Sequence, residues 1–203
     1  MAAHAGEDGR VERGRRSREA VAEAMLALIN EGHLRPVLRT VAERAGVSLR
    51  LVHNHFDDRE QLFAAAAQLQ MARMSRYVTA IAVDLPFDER LDKFIAARTR
   101  LLEVITPVRR AAVGEEPFST VVAAHMAVTR DAKRKQVMSV FARELDAVPR
   151  SARKALTRSV CAVASWSMWE QLRAHQGLSR AAARRAMTLM MRTLLTSGGK
   201  EST

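Results

Sequence analysis

Four side chains between Val37 and Phe63 can share one outward face of a short helix: Leu49, Arg50, His53 and Asn54. Each can donate to, accept from, or touch a base edge or a phosphate, which is the chemistry of a nucleic-acid groove. No Gly-rich phosphate loop, no Cys/His ligand cluster and no nucleophile with its base stands at useful spacing elsewhere, so an enzyme is not expected. His53 and His55 are two apart and would point about 200° from each other on a helix, which rules out a shared metal. No cofactor and no metal are therefore expected.

These side chains need two short elements to hold them. Leu38, Val41, Ala42 and Ala45 fall at i, i+3, i+4 and i+7 and give a first helix one apolar face. Gly46 ends it, because glycine takes the left-handed position past a helix C-terminus without a Cβ penalty. Ser48 suits the N-cap of a second helix, in which Val52 and Phe56 turn inward. Two short helices joined by a tight Gly turn make a helix-turn-helix suited to the major groove. Asp57 and Asp58 then offer an N-cap to a third helix beginning Arg59-Glu60-Gln61-Leu62-Phe63.

The combination Ala42, Arg44-Ala45-Gly46-Val47-Ser48, Val52, His55-Phe56, Arg59-Glu60 and Leu62-Phe63 resembles the DNA-binding domain of TetR-family transcriptional regulators. The sharp motifs cover residues 17–65. Beyond them the likeness is one of helical layout and of Trp169-x-x-Leu172-Arg173 before Gly177-Leu178-Ser179. The resemblance implies that Arg39 reaches a guanine, that Leu49 and Arg50 meet base edges, and that His53, Asn54, His55 and Arg59 hold the phosphate backbone. With Ser48 at the head of the same helix, these form the expected DNA-binding set. The chain departs from the pattern where relatives carry Gly-Thr and it has Arg50-Leu51, where they carry Tyr and it has His53, and where they carry Lys and it has Arg59. Leu51 lacks a hydroxyl for a phosphate, whereas Arg50 gains a fork for bidentate contact to guanine, about 1–3 kcal/mol of discrimination. A distinctive operator follows. The resemblance also places the helix start at Val37 or Leu38, although Thr40 to Glu43 spells a capping box that would begin it later.

Charge alone does not carry the nucleic-acid reading. The 203 residues hold 33 Lys plus Arg against 22 Asp plus Glu, a formal net charge of +11. Residues 1–62 are neutral, with ten of each sign, so the surplus of 23 over 12 lies in residues 63–203. DNA binding therefore rests on the placement of particular arginines. Residues 1–16 lack apolar periodicity and are expected to form a disordered basic arm, whose arginines through Arg18 could cross the adjacent minor groove. Ser17 would then cap a helix with the stripe Val21, Ala24, Met25, Leu28 and Ile29. A single cysteine, Cys161, points to a reduced cytoplasmic protein. No stretch reaches the roughly 18 apolar residues of a membrane span.

Downstream, apolar spacing predicts one long helix from Asp58 to about Val83, a helix after Pro86, a fresh turn at Thr106-Pro107, an amphipathic run from Phe118, a basic amphipathic segment from Arg130, a long helix from Ser151 to Gln176, and a last helix ending near Leu195. The stripe after Pro86 is interrupted by Arg98, which either snorkels at a helix edge or lines a cavity. The expected architecture is all-α, about nine helices, with an arm at 1–16, a three-helix helix-turn-helix domain at 17–63, and a helical effector-binding and dimerisation domain at 64–203. Phe94, Arg98, His125, Met126, Trp166 and Trp169 are the candidate ligand-lining residues. The resemblance implies a homodimer through the last two helices, a palindromic double-stranded operator, and a repressor released by a small effector of unknown class. The alternative is a DNA-bound protein of the same fold that positions a protein partner without an effector.

Overall fold

The computed structural model describes residues 3–74, 77 and 79–197, and every element among them is helical. The order is α1 (Ala3–Asn30), α2 (Leu38–Ala45), α3 (Leu49–His55), α4 (Arg59–Met74), α5 (Phe87–Glu115), α6 (Thr120–Val140), α7 (Ala142–Asp146), α8 (Arg150–Val163), α9 (Trp166–Glu170), a π-helical turn (Gln171–His175) and α10 (Arg180–Ser197). The all-α expectation holds. The chain forms two compact units, one of residues 1–75 with 107–124 and one of residues 76–106 with 125–203. The expected boundary at residue 63 thus moves to the end of α4, whose Leu62, Phe63, Ala66 and Gln70 are buried in the first unit.

In the first unit α1, α2 and α4 pack around Val21, Met25, Leu28 and Ile29, which are at most 2 % exposed. This apolar floor is the stripe read from the sequence. The helix carrying it begins far earlier than Ser17, however, and the expected disordered arm at 1–16 is helical from Ala3. Its support is local: Arg15 pairs with Glu12 at 2.7 Å and with Glu19 at 3.3 Å, and Arg16 reaches Glu12 at 3.8 Å, all at i,i+3 or i,i+4 spacing. Ser17 is not a cap but a mid-helix residue whose hydroxyl bonds the Gly14 carbonyl.

In the second unit a single apolar cluster joins Leu91, Phe94, Ile95 and Leu102 of α5 to Val137, Phe141, Leu145, Val160, Trp169, Leu172, Met187 and Met191. Phe94 and Phe141 meet edge to face at 5.1 Å. Arg90 is 2 % exposed inside this unit, with its Nε on the Leu85 carbonyl at 3.0 Å and a terminal nitrogen on Glu144 at 3.1 Å.

Several predicted boundaries differ. The helix from residue 58 is described as far as Met74, and residues 79–83, which were expected to continue it, lie outside any helix, where β-branched Thr79, Ile81 and Val83 are weak helix formers. Conversely, α5 runs through Pro107 instead of restarting there. Thr106 Oγ1 donates to the Leu102 carbonyl at 2.7 Å, tying down the turn before the proline. The predicted helix 151–176 is broken: Ser165 caps a new helix by accepting from the Met168 amide, and a π turn follows.

Candidate nucleic-acid interface

The helix-turn-helix is built from backbone geometry outward. α2 starts at Leu38 with Val37 as its N-cap, and no side chain caps it, so the Thr40–Glu43 box is not used. At its far end Gly46 has φ +67°, the Gly46 amide bonds the Glu43 carbonyl and the Val47 amide bonds that of Ala42. This pair of bonds is a Schellman closure, and only glycine takes its backbone angle without strain. Two residues later Ser48 Oγ accepts from the Leu51 amide at 3.2 Å and starts α3. Val52 and Phe56 are at most 1 % exposed and anchor α3 inward, while Arg18 lies over the Phe56 ring at 4.7 Å.

This anchoring decides which side chains face out. Ser48, Leu49, Arg50, His53 and Asn54 are exposed, and so is Arg39 on α2. Arg39 and Arg50 form no ion pair with any described residue. Two of the eight candidates stand apart. His55 is half-buried, and its Nε2 lies 2.6 Å from Ser17 Oγ. Arg59 is 22 % exposed and donates to Glu115 at 2.6 Å, with Arg35 on the same carboxylate at 3.3 Å. Its other terminal nitrogen is buried without a partner. Close by, Ser119 donates to Glu60 and accepts from the Val122 amide at 3.0 Å, capping α6. Nothing local in the sequence marks Glu115, because its partner is 56 residues away.

The six candidate ligand-lining residues lie in the second unit. Phe94 and Trp169 belong to its apolar cluster, with Trp166 against it and donating through Nε1 to Thr106 at 3.2 Å. Arg98 lies in the core-facing row of the same helix as Phe94 and is 8 % exposed, so it does not snorkel. His125 and Met126 are outside that cluster; burial lowers the pKa of His125, whose Nε2 is buried without a partner. None of the six lines either of two surface grooves of about 420 and 220 Å³. Those grooves run between α5 and α10, share Arg184, and are lined by Arg185, Leu189 and Arg192 in one and by Thr99, Arg100 and Arg180 in the other. Sequence periodicity gave no sign of them.

No group of three or more His, Cys, Asp or Glu among the described residues could hold a metal ion. No helix among them is long and apolar enough to cross a membrane.

No protein-family model matches the chain, and no curated protein matches it in sequence. Solved structures do match in fold. A transcriptional regulator from Rhodococcus sp. Rha1 superposes with a TM-score of 0.70 over 90% of this chain and 97% of its own, at 17% identity. A TetR-family transcriptional regulator from Streptomyces coelicolor gives 0.73 over 92% of this chain and 83% of its own, at 18% identity.

Proposed function

We propose, from a fold shared with two transcriptional regulators, one of them of the TetR family, that the chain is a sequence-specific DNA-binding transcriptional regulator of that family. The observation that carries this reading is the outward face of α3. Arg50, His53 and Asn54 are exposed there beside Arg39, on a helix held at one end by the Ser48 cap and underneath by Val52 and Phe56. A polar, positively charged helix face on a rigid support suits major-groove entry. Arg39, Leu49 and Arg50 read bases. Ser48, His53 and Asn54 hold phosphates, while His55 and Arg59 join them only by leaving their partners in the protein.

The working form is a homodimeric cytoplasmic repressor on a palindromic operator. One head offers too few base contacts for tight, selective binding, and a twofold pair reads two half-sites one or more turns apart. The dimer forms through α8 to α10, where Leu189 is 65% exposed and Met190 and Leu194 are half-buried. A small effector in the second unit releases the operator, for which a coupling of about 1–3 kcal/mol suffices. The arginines lining the α5/α10 grooves favour a second reading, in which the DNA-bound protein positions a protein partner and no effector acts.

Selection of random DNA fragments on the purified chain tests the proposal. Enrichment of one short palindrome is the expected result. Recovery of fragments with no common sequence would reject it.

A further inference from the structure

Arg98 is the charged residue of the second unit whose surroundings explain it least. It lies on the apolar side of α5, with Leu91, Phe94, Ile95 and Leu102 at i−7, i−4, i−3 and i+4, all at most 2 % exposed. Its Nε donates to the Ala164 carbonyl at 2.9 Å, at the C-terminal end of α8. No described residue accepts from its two terminal nitrogens, and no carboxylate pairs with it. Burial opposes its charge and lowers its pKa to about 10. It is still protonated at neutral pH, so a guanidinium is kept ionised in an apolar setting without a counter-ion.

The neighbours add positive charge. Lys133 of α6 donates to the Cys161 carbonyl at 3.0 Å, one turn before Ala164. The Cys161 thiol feels Arg98, Lys133 and Arg134, all of which pull its pKa down, but burial is the larger effect and pushes it up. The thiol is therefore neutral near pH 7 and supplies no negative charge. Arg134 is partly offset by Asp131 at 4.0 Å. Cations from α5 and α6 thus gather at the last turn of α8.

A helix C-terminus attracts a cation, and capping α8 accounts for one N–H of Arg98. It leaves the two terminal nitrogens unexplained, and Lys133 already serves the same turn. The terminal nitrogens find no acceptor among the described residues, and an anion bidentate on that free end of the fork would supply the missing counter-charge. The α5 side chains flanking Arg98 are apolar, so a monoanion suits this place better than a phosphate dianion, which would lose more hydration on entry.

We propose that Arg98, with Lys133 beside Cys161 at the end of α8, is the anchor for a small organic carboxylate, and that the effector of this protein is therefore an anion. The inference rests on the effector-regulated reading above and names the chemical class that reading leaves open. Binding is measured on the full chain without DNA, by calorimetry and thermal melting with sodium acetate, sodium benzoate and inorganic phosphate against sodium chloride at equal ionic strength. Benzamide serves as the neutral counterpart of benzoate.

The expected result is a saturable rise in Tm and a binding heat with acetate or benzoate and none with benzamide. R98K keeps the charge but loses the fork, and it should weaken carboxylate binding at least about tenfold. R98M should abolish it; should R98M fail to fold, R98K and the wild-type comparison decide. A wild-type response to none of the anions, a response unchanged in R98K, or tighter binding of phosphate than of either carboxylate would overturn the assignment. In the first case Arg98 is a cap for α8 only. None of these readouts involves DNA, so their failure leaves the regulator reading standing. Failure to select a DNA sequence would remove that reading and leave the anion result intact.

Discussion

Replacing Glu115 by Gln asks whether Arg59 belongs to the fold or to the DNA. In the free protein the Arg59 guanidinium donates to Glu115 at 2.6 Å, the two side chains being 22% and 16% exposed. Such a charge-assisted bond contributes about 1.5–3 kcal/mol, and a phosphate contact replacing it contributes a similar amount. Exchanging one for the other therefore gains little, and wild-type Arg59 should add almost nothing to DNA affinity. Gln keeps the shape of Glu115 and removes its charge. Arg59 is then free to pair with a phosphate, which tightens binding by about 1 kcal/mol and steepens the slope of log K against log salt by about 0.9. If Arg35, also on Glu115 at 3.3 Å, is freed as well, the steepening approaches twice that value. The same change lowers stability by about 1–3 kcal/mol, because the pair is lost from the first unit. Anisotropy titrations from roughly 50 to 200 mM salt give the slope, and urea unfolding gives the stability. Adding R59Q should return the slope to the wild-type value. An unchanged slope in E115Q, with stability lowered, would refute the reasoning and leave Arg59 as a purely structural residue.

Arg39→Ala and Arg50→Ala, measured separately, should each cost about 1–3 kcal/mol on the preferred sequence and much less on DNA changed at the base that is read. Uniform weakening across sequences would make them phosphate contacts instead. Arg90→Met leaves Glu144 without its partner inside the second unit, and denaturant unfolding should show a loss of about 3–5 kcal/mol. A loss below about 1 kcal/mol would mean that the pair contributes no more than a surface contact. Burial depresses the His125 pKa below its ordinary 6.5. Its contribution to stability is therefore present above the unfolded-state value and is lost as pH falls through the lower folded-state value. Melting temperatures between roughly pH 5 and 8 should show that decline in the wild type. An identical profile in His125→Gln would contradict it.

What was legible in the sequence is what neighbours along the chain decide. The end of α2 at Gly46, the cap at Ser48 and the inward pair Val52 and Phe56 are each settled within one or two turns, and the outward face of α3 follows from them. The interior of the first unit was legible for the same reason, through the stripe of α1. Arg98 shows the limit. Periodicity put it in an apolar row and left both snorkelling and a cavity-lining place open, since the carbonyl that its Nε meets, that of Ala164, is 66 residues away. Arg59 with Glu115 and Arg90 with Glu144 join residues 56 and 54 apart and left no local mark. Residues 3–16 fail differently. Their composition reads as a tail, yet Glu12, Arg15, Arg16 and Glu19 stand at helical spacing, and that local signal prevails.

The measurement that bears most directly on the central claim is a binding titration of the purified chain on the selected fragment and on a scrambled duplex of equal length, at physiological salt. The palindrome should bind at least about a thousandfold more tightly than the scrambled duplex. The chain should occupy the palindrome as a pair. Equal affinity for both duplexes, falling steeply with salt, would mean that charge alone drives the association. The outward face of α3 would then read no sequence.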